Sequence, residues 1–326
     1  MPRIASLLLI TSLALSTAAL AQPSRGSDAY PSKTVRLIVG LAPGGNPDTF
    51  ARLTAKSLSD SFGQPFVVEN RPGAGGNIGT EVVAKAAPDG YTLVMGSNGP
   101  FAANVSLYDK LPFDPLKDLA PVILMGRLPM ILIANDAVSA ASVTDMIQLA
   151  KARPGTLNFG ASNTTARVWI ELLKNMAGIN VATVPYKNVG ALLTDLMGGQ
   201  IQYAFENVGP SLPLIRSSKI KALAVTSQKR ASFASQIPAF GEFGLTRYDL
   251  VVWLALFAPK GTPAEITQRL NAEINKIMQE SPEIVQLIAS IGMEPAGGSP
   301  EQLGEYHKAE IAKWDELVKA TGVRLD

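Results

Sequence analysis

The chain has 326 residues, of which 47% are hydrophobic and 17% charged, enough for two domains with a large core and incompatible with a disordered segment. Its 29 basic and 27 acidic residues give a formal charge of +2 without long runs, which excludes the basic stripe that nucleic-acid phosphates require. Cysteine is absent and histidine occurs once, so disulfides, thiolate metal centres and a cysteine nucleophile are excluded, and no cofactor or metal is expected.

Residues 1–21 read as a secretory signal peptide. Arg3 gives a positive start, residues 4–15 an apolar run, and Ala19-Leu20-Ala21 a small-residue cleavage pattern before Gln22. The run is shorter than the roughly 20 residues a spanning helix needs, so the mature chain is expected outside the cytoplasm. A β-branched strand at 35–39 then enters the turn Ala42-Pro43-Gly44-Gly45-Asn46-Pro47-Asp48, which delivers the chain into a helix over 49–62. A strand turning through glycines into a helix leaves first-turn amides unpaired, and the helix dipole favours an anion there. The other reading is an ordinary helix start, with Asn46 as the cap and Pro47 at the first helical position. Asp48 favours the helix terminus itself and serves better to fix the loop than to meet an anion.

A strand at 66–69, a helix at 78–87 and a strand at 91–95 complete a βαβαβ unit that stops at Gly96-Ser97-Asn98-Gly99. The glycines of Arg71-Pro72-Gly73-Ala74-Gly75-Gly76-Asn77-Ile78-Gly79 invite a dinucleotide reading, but G-x-G-x-x-G counted from Gly73 places Ile78 at the third glycine. Two apolar segments, separated by Gly126-Arg127-Leu128-Pro129, span 122–134. The alternation then restarts with a helix at 143–152, a strand at 157–159, a helix at 166–176, a strand at 181–184, a helix at 191–197 and strands at 201–205 and 222–226. Here Ser162-Asn163-Thr164-Thr165 repeats the strand-to-helix turn with hydroxyl and amide donors. Arg167 follows it as either a carboxylate-binding fork or a solvated surface arginine, and Trp169 as a core residue or a cleft wall.

A strand at 250–257 leads into three closing helices at 264–279, 282–291 and 300–320, with no strand between them. These helices pack most economically on the first unit, giving two lobes with a cleft at the carboxyl ends of the strands. The expected division is lobe 1 at 28–128 and 247–326 and lobe 2 at 129–246. His307 shares the apolar face of the last helix with Leu303, Ile311, Trp314 and Val318, which is the placing of a packed residue. No nucleophile elbow occurs, so catalysis lacks its usual parts.

Tyr30-Pro31-Ser32-Lys33, Pro43-Gly44-Gly45 with Asp48 and Ala51-Arg52, Val68-Glu69-Asn70-Arg71-Pro72-Gly73-Ala74-Gly75-Gly76-Asn77-Ile78-Gly79, Ala87-Pro88-Asp89-Gly90-Tyr91-Thr92-Leu93, Val184-Pro185-Tyr186-Lys187, Leu196-Met197-Gly198-Gly199-Gln200, Ala222-Leu223-Ala224-Val225-Thr226 and Phe257-Ala258-Pro259-Lys260-Gly261-Thr262-Pro263 occur in that order. The series resembles the solute-binding proteins of tripartite tricarboxylate transporters, the Bug family. The resemblance implies a type II periplasmic binding protein: two α/β lobes, a small organic carboxylate held between them, a membrane permease as partner, a monomeric state and a periplasmic location. It also implies that Pro43, Gly44, Gly45 and Asp48 form a carboxylate loop and that Ser97, Tyr186 and Asn207 line the cleft. The turns add Asn46, Thr49, Asn98, Ser162, Asn163, Thr164, Thr165 and Arg167 as candidate ligand-binding residues. The second turn is shorter than in the family, and Arg167 stands where a histidine usually falls, so direct ion pairing by Arg167 is a specific expectation. The rival reading is a secreted α/β enzyme acting on a small carboxylate.

Overall fold

The computed structural model describes residues 30–231, 234–245 and 250–324; the signal peptide expected at 1–21 lies outside them. In chain order, β1 (Val35–Val39), α1 (Asn46–Phe62), β2 (Phe66–Asn70), α2 (Asn77–Ala84) and β3 (Thr92–Ser97) form the βαβαβ unit, with β1 parallel to both β2 and β3. A wide helical turn over Gly99–Ala103 continues into α3 (Asn104–Leu107), and β4 (Leu119–Asn135) follows. The second unit comprises α4 (Val143–Ala152), β5 (Asn158–Ala161), α5 (Thr164–Ala177), β6 (Ala182–Pro185), α6 (Val189–Met197), β7 (Tyr203–Asn207), α7 (Val208–Arg216) and β8 (Ile220–Val225). Then β9 (Val251–Pro259), α8 (Ala264–Glu280), α9 (Pro282–Ile291), β10 (Glu294–Gly297) and α10 (Pro300–Thr321) bring the chain back against the first unit.

All ten strands belong to one sheet, ordered β2-β1-β3-β9-β4-β7-β5-β6, with β8 and β10 also paired to β4. The early part of β4 pairs with β9 and β10, and its later part with β7 and β8, so one strand joins two α/β lobes. Several elements differ from expectation, among them the helical turn at Gly99–Ala103 and α3, which fall where no element was expected. The two apolar segments at 122–134 are a single strand of 17 residues. Gly126 does not break it, because β10 lies so close that a side chain at 126 would meet the Glu294 carbonyl oxygen at 2.7 Å. β10 itself, a short strand containing Pro295, separates closing helices expected to be consecutive. Helix α7 follows β7 where only strands were expected. Its Gly209, Pro210 and Pro213 disguise it, although Val208, Ser211 and Leu212 form a buried face.

The main core runs through both lobes. On one side Phe101 stacks on Phe257 at 4.5 Å between ring centres, with Trp253 and His307 edge-on to Phe257 or Phe101. On the other, Trp169 packs edge-on to Phe205 and is fully buried, so it is a core residue and not a cleft wall. Each such side chain contributes about 1.5–3 kcal/mol by leaving water. His307 is 3% exposed, its Nε2 lies 2.7 Å from the Phe101 carbonyl oxygen, and burial holds its imidazole below the usual histidine range. That is the packed histidine its helical spacing indicates.

Candidate ligand-binding cleft

Four strand ends converge between the lobes. From one lobe come the turn after β1, ending in Gly45 and Asn46, and the end of β3 with Ser97 and the following Asn98; from the other come Ser162 to Thr165 after β5 and Asn207 at the end of β7. Together with Leu128 of β4 and Val252 and Leu254 of β9, these residues line a cavity of about 400 Å³. Pro47, Gly75, Pro100 and Val189 complete much of its wall, and among the described residues no charged side chain lines it. Polar donors thus stand at both lobes, over an apolar floor made by the connecting strands.

Local geometry decides which donors are available. Gly45 is the extended residue before α1, no side chain caps that helix, and Pro47 has no amide to satisfy. Helix α7 likewise starts without a side-chain cap, since the Asn207 side chain donates to Glu206 at 3.1 Å. The two helix starts face each other: a side-chain carbon built on Gly209 would lie 3.9 Å from Asn46 Oδ1. By contrast, Asn163 caps α5, accepting from the Ala166 amide at 2.9 Å. The amide nitrogens of Asn46 and Asn98 are buried and have no hydrogen-bond partner, and Asn98 is only 2% exposed. Uncapped helix starts and unpaired amide donors create positive potential without a cation.

Other expected residues lie elsewhere. Pro43, Gly44 and Thr49 are exposed and do not line the cavity. Asp48 is buried and turned into its own loop, accepting from the Gly44 amide at 2.9 Å, Asn70 at 2.8 Å and Arg52 at 3.0 Å. Burial alone pushes the Asp48 carboxyl up, but these bonds outweigh it and hold the group below its ordinary value. The glycine turn is therefore fixed by Asp48 from behind. Tyr186 donates to Asp195 at 2.8 Å, is pushed up to about 12 by burial and that carboxylate, and does not line the cavity. Arg167 is exposed and lines a separate cavity with Glu171, Thr183, Pro185 and Arg324, so the structure does not bring it to the other turn residues. The cause is the helix: α5 starts at Thr164, and Arg167 sits on the side of α5 that Glu171 shares one turn on.

Sequence reasoning missed Glu206, which is fully buried behind the cleft and bonded to both Ser162 and Asn207. Its signal was a lone acid in the apolar strand preceding Asn207. It also missed Leu128, Val252 and Leu254, which follow from the requirement that strands joining two lobes pass behind the cleft between them.

Two α/β lobes on a shared sheet, with helix starts at a cleft between them, define a binding protein of the two-lobed kind. A solved R. palustris protein with adipate is 37% identical, with a TM-score of 0.82 over 90% of this chain and 99% of that one. MatC from Rhodopseudomonas palustris, solved with bound malate, is 30% identical with a TM-score of 0.78, covering 89% of this chain and 100% of that one. Protein BugT of Bordetella pertussis is 37% identical over 322 residues, 98% of each chain. Residues 50–323 match the model of the tripartite tricarboxylate transporter family receptor, and the chain belongs to that family.

Proposed function

We propose that this protein captures a small organic carboxylate between its lobes in the periplasm and delivers it to a membrane permease. The observation that carries this reading is the pair of buried, unpartnered amide nitrogens, Asn46 Nδ2 and Asn98 Nδ2, in the wall of a cavity with uncapped helix starts and, among the described residues, no charged side chain. Such donors suit a carboxylate, each charge-assisted bond being worth about 1.5–3 kcal/mol. The apolar floor suits a short hydrocarbon spacer, and the similarity to proteins solved with adipate and malate supports the same class. Lobe 1 would comprise residues 28–128 and 247–326 and lobe 2 residues 129–246, the chain acting as a monomer after removal of residues 1–21. Membership of a transport receptor family supports binding over catalysis, and nothing observed favours the secreted enzyme.

Thermal-shift screening of C3–C8 mono- and dicarboxylates tests the reading, since a ligand at 100 times its Kd stabilises by about 2.7 kcal/mol. A rise in Tm with carboxylates and not with the matching amides is the expected result. Recovery of the ligand unchanged after long incubation distinguishes binding from turnover.

A further inference from the structure

Glu206 lies one residue from the end of β7, paired in register with Ile131 of β4 and 0% exposed. Its Oε2 accepts from the Ser162 hydroxyl at 2.6 Å, and its Oε1 accepts from the Asn207 amide at 2.8 Å and from Asn207 Nδ2 at 3.1 Å. Ser162 and Asn207 both line the cleft. The direction of the first bond has a chemical consequence, because a hydroxyl has a single proton to give. With Glu206 ionised, that proton is committed inward and Ser162 turns only lone pairs to the cavity, a poor surface for a carboxylate. Protonation reverses the bond: a proton from the solvent forms O–H at Oε2, that group donates to Ser162 Oγ, and the serine hydroxyl, keeping its own proton, turns its O–H toward the ligand.

Among the described residues no cation pairs with the ionised form. The elements packed on β7 are β4, β5, α5, α6 and α7. On β4, Arg127 stacks on the Tyr306 ring; on α5, Lys174 pairs with Glu171 and Arg167 lines the separate cavity. On α6, Asp195 accepts from Tyr186; α7 carries Arg216 at its far end; β5 has no titratable group, and β7 itself carries Tyr203 besides Glu206. Among the described residues none forms an ion pair with Glu206, and burial pushes its carboxyl up toward the neutral form.

On the reading of the cleft as a carboxylate site, we propose that Glu206 is a positioning residue that sets the hydrogen-bond polarity of Ser162 and takes up one proton when a carboxylate is captured. Affinity then falls as pH rises above the Glu206 transition, with a limit of about tenfold per pH unit for one linked proton.

The test is titration calorimetry with the tightest binder from a C3–C8 carboxylate panel that includes adipate and malate, in phosphate and in Tris across pH 6–8.5. The dependence of the heat on buffer ionisation enthalpy gives the protons exchanged. Net proton uptake of up to one in the unsubstituted protein is expected. Glu206→Gln, whose amide can donate to Ser162 while its oxygen keeps Asn207, is expected to abolish the uptake and to bind more tightly than the unsubstituted protein at pH 8.5. Should that variant fail to fold, Ser162→Ala decides: loss of uptake supports the proposal and retention overturns it. Binding without proton exchange overturns this proposal and leaves the carboxylate reading intact. Failure of every carboxylate to bind overturns both.

Discussion

The unpaired amides of Asn46 and Asn98 are a cost that the unliganded protein carries, because a buried donor without an acceptor loses about 1–3 kcal/mol. Asn98→Ala is therefore expected to weaken carboxylate binding by about 1.5–3 kcal/mol by calorimetry, while leaving the unliganded protein as stable or more stable in urea. Arg167→Ala is expected to change affinity by less than about 0.5 kcal/mol, since the side chain lines another cavity. His307 governs a different quantity. Its folded value is lowered by burial, so between that value and the ordinary one near 6.5 the unfolded chain binds a proton that the folded chain does not. Stability should be complete above about pH 6.5 and decline as pH falls toward the lowered value, a decline that denaturant titrations from pH 8 to 5 measure and that His307→Gln should flatten. At this scale, the placing of Asn46, Ser97, Asn98, Ser162 and Asn207 around one cavity was legible because each lies at or just beyond the end of a strand, or, for Asn46, where the turn after β1 opens α1. The placing of Arg167 and Tyr186 was not, because chain order does not tell which side of a helix or strand end a side chain takes.

Among the elements, the glycines before α2 and in its first turn find their reason in packing. A side-chain carbon on Gly79 would lie 2.7 Å from Gly40 Cα, and one on Gly40 would lie 2.7 Å from the Gly76 carbonyl oxygen. The two backbones touch where β1 ends and α2 begins, which aims the first turn at the cleft. Gly79→Ala is expected to destabilise the protein by about 1–3 kcal/mol in chemical denaturation, the ordinary cost of overpacking. Strands and helices with clear period, such as β1 and α4, were readable to the residue. Helix α7 was hidden by two prolines, one of them Pro210 in the first turn, where its missing amide costs nothing. β10 was hidden because four residues are too few to show alternation. The unity of β4 was hidden because Gly126 and Pro129 ordinarily end strands; here the close approach of β10 requires the glycine.

At the scale of the molecule, the proposed capture predicts that a bound carboxylate reduces the radius of gyration in small-angle scattering, by biasing lobes that open and close toward the closed form. The connection between the lobes sets how that motion proceeds. β4 passes from one lobe to the other without a loop, its 17 residues spanning about 56 Å at 3.3 Å per residue, and β9 lies antiparallel along it with register irregularities at 121–123 and 124–126. On the far side, α10 packs against α5, and Asn175 donates to the Ala320 carbonyl oxygen at 2.7 Å. Among the described residues that joint is hydrogen-bonded ribbon. Rotation of one half against the other would then be torsion shared over many dihedral pairs, and the expectation is a preferred resting angle. Substitutions along that ribbon, at Gly126 above all, should reset this angle and with it the rates of entry and escape, while the chemistry of the grip stays as it was.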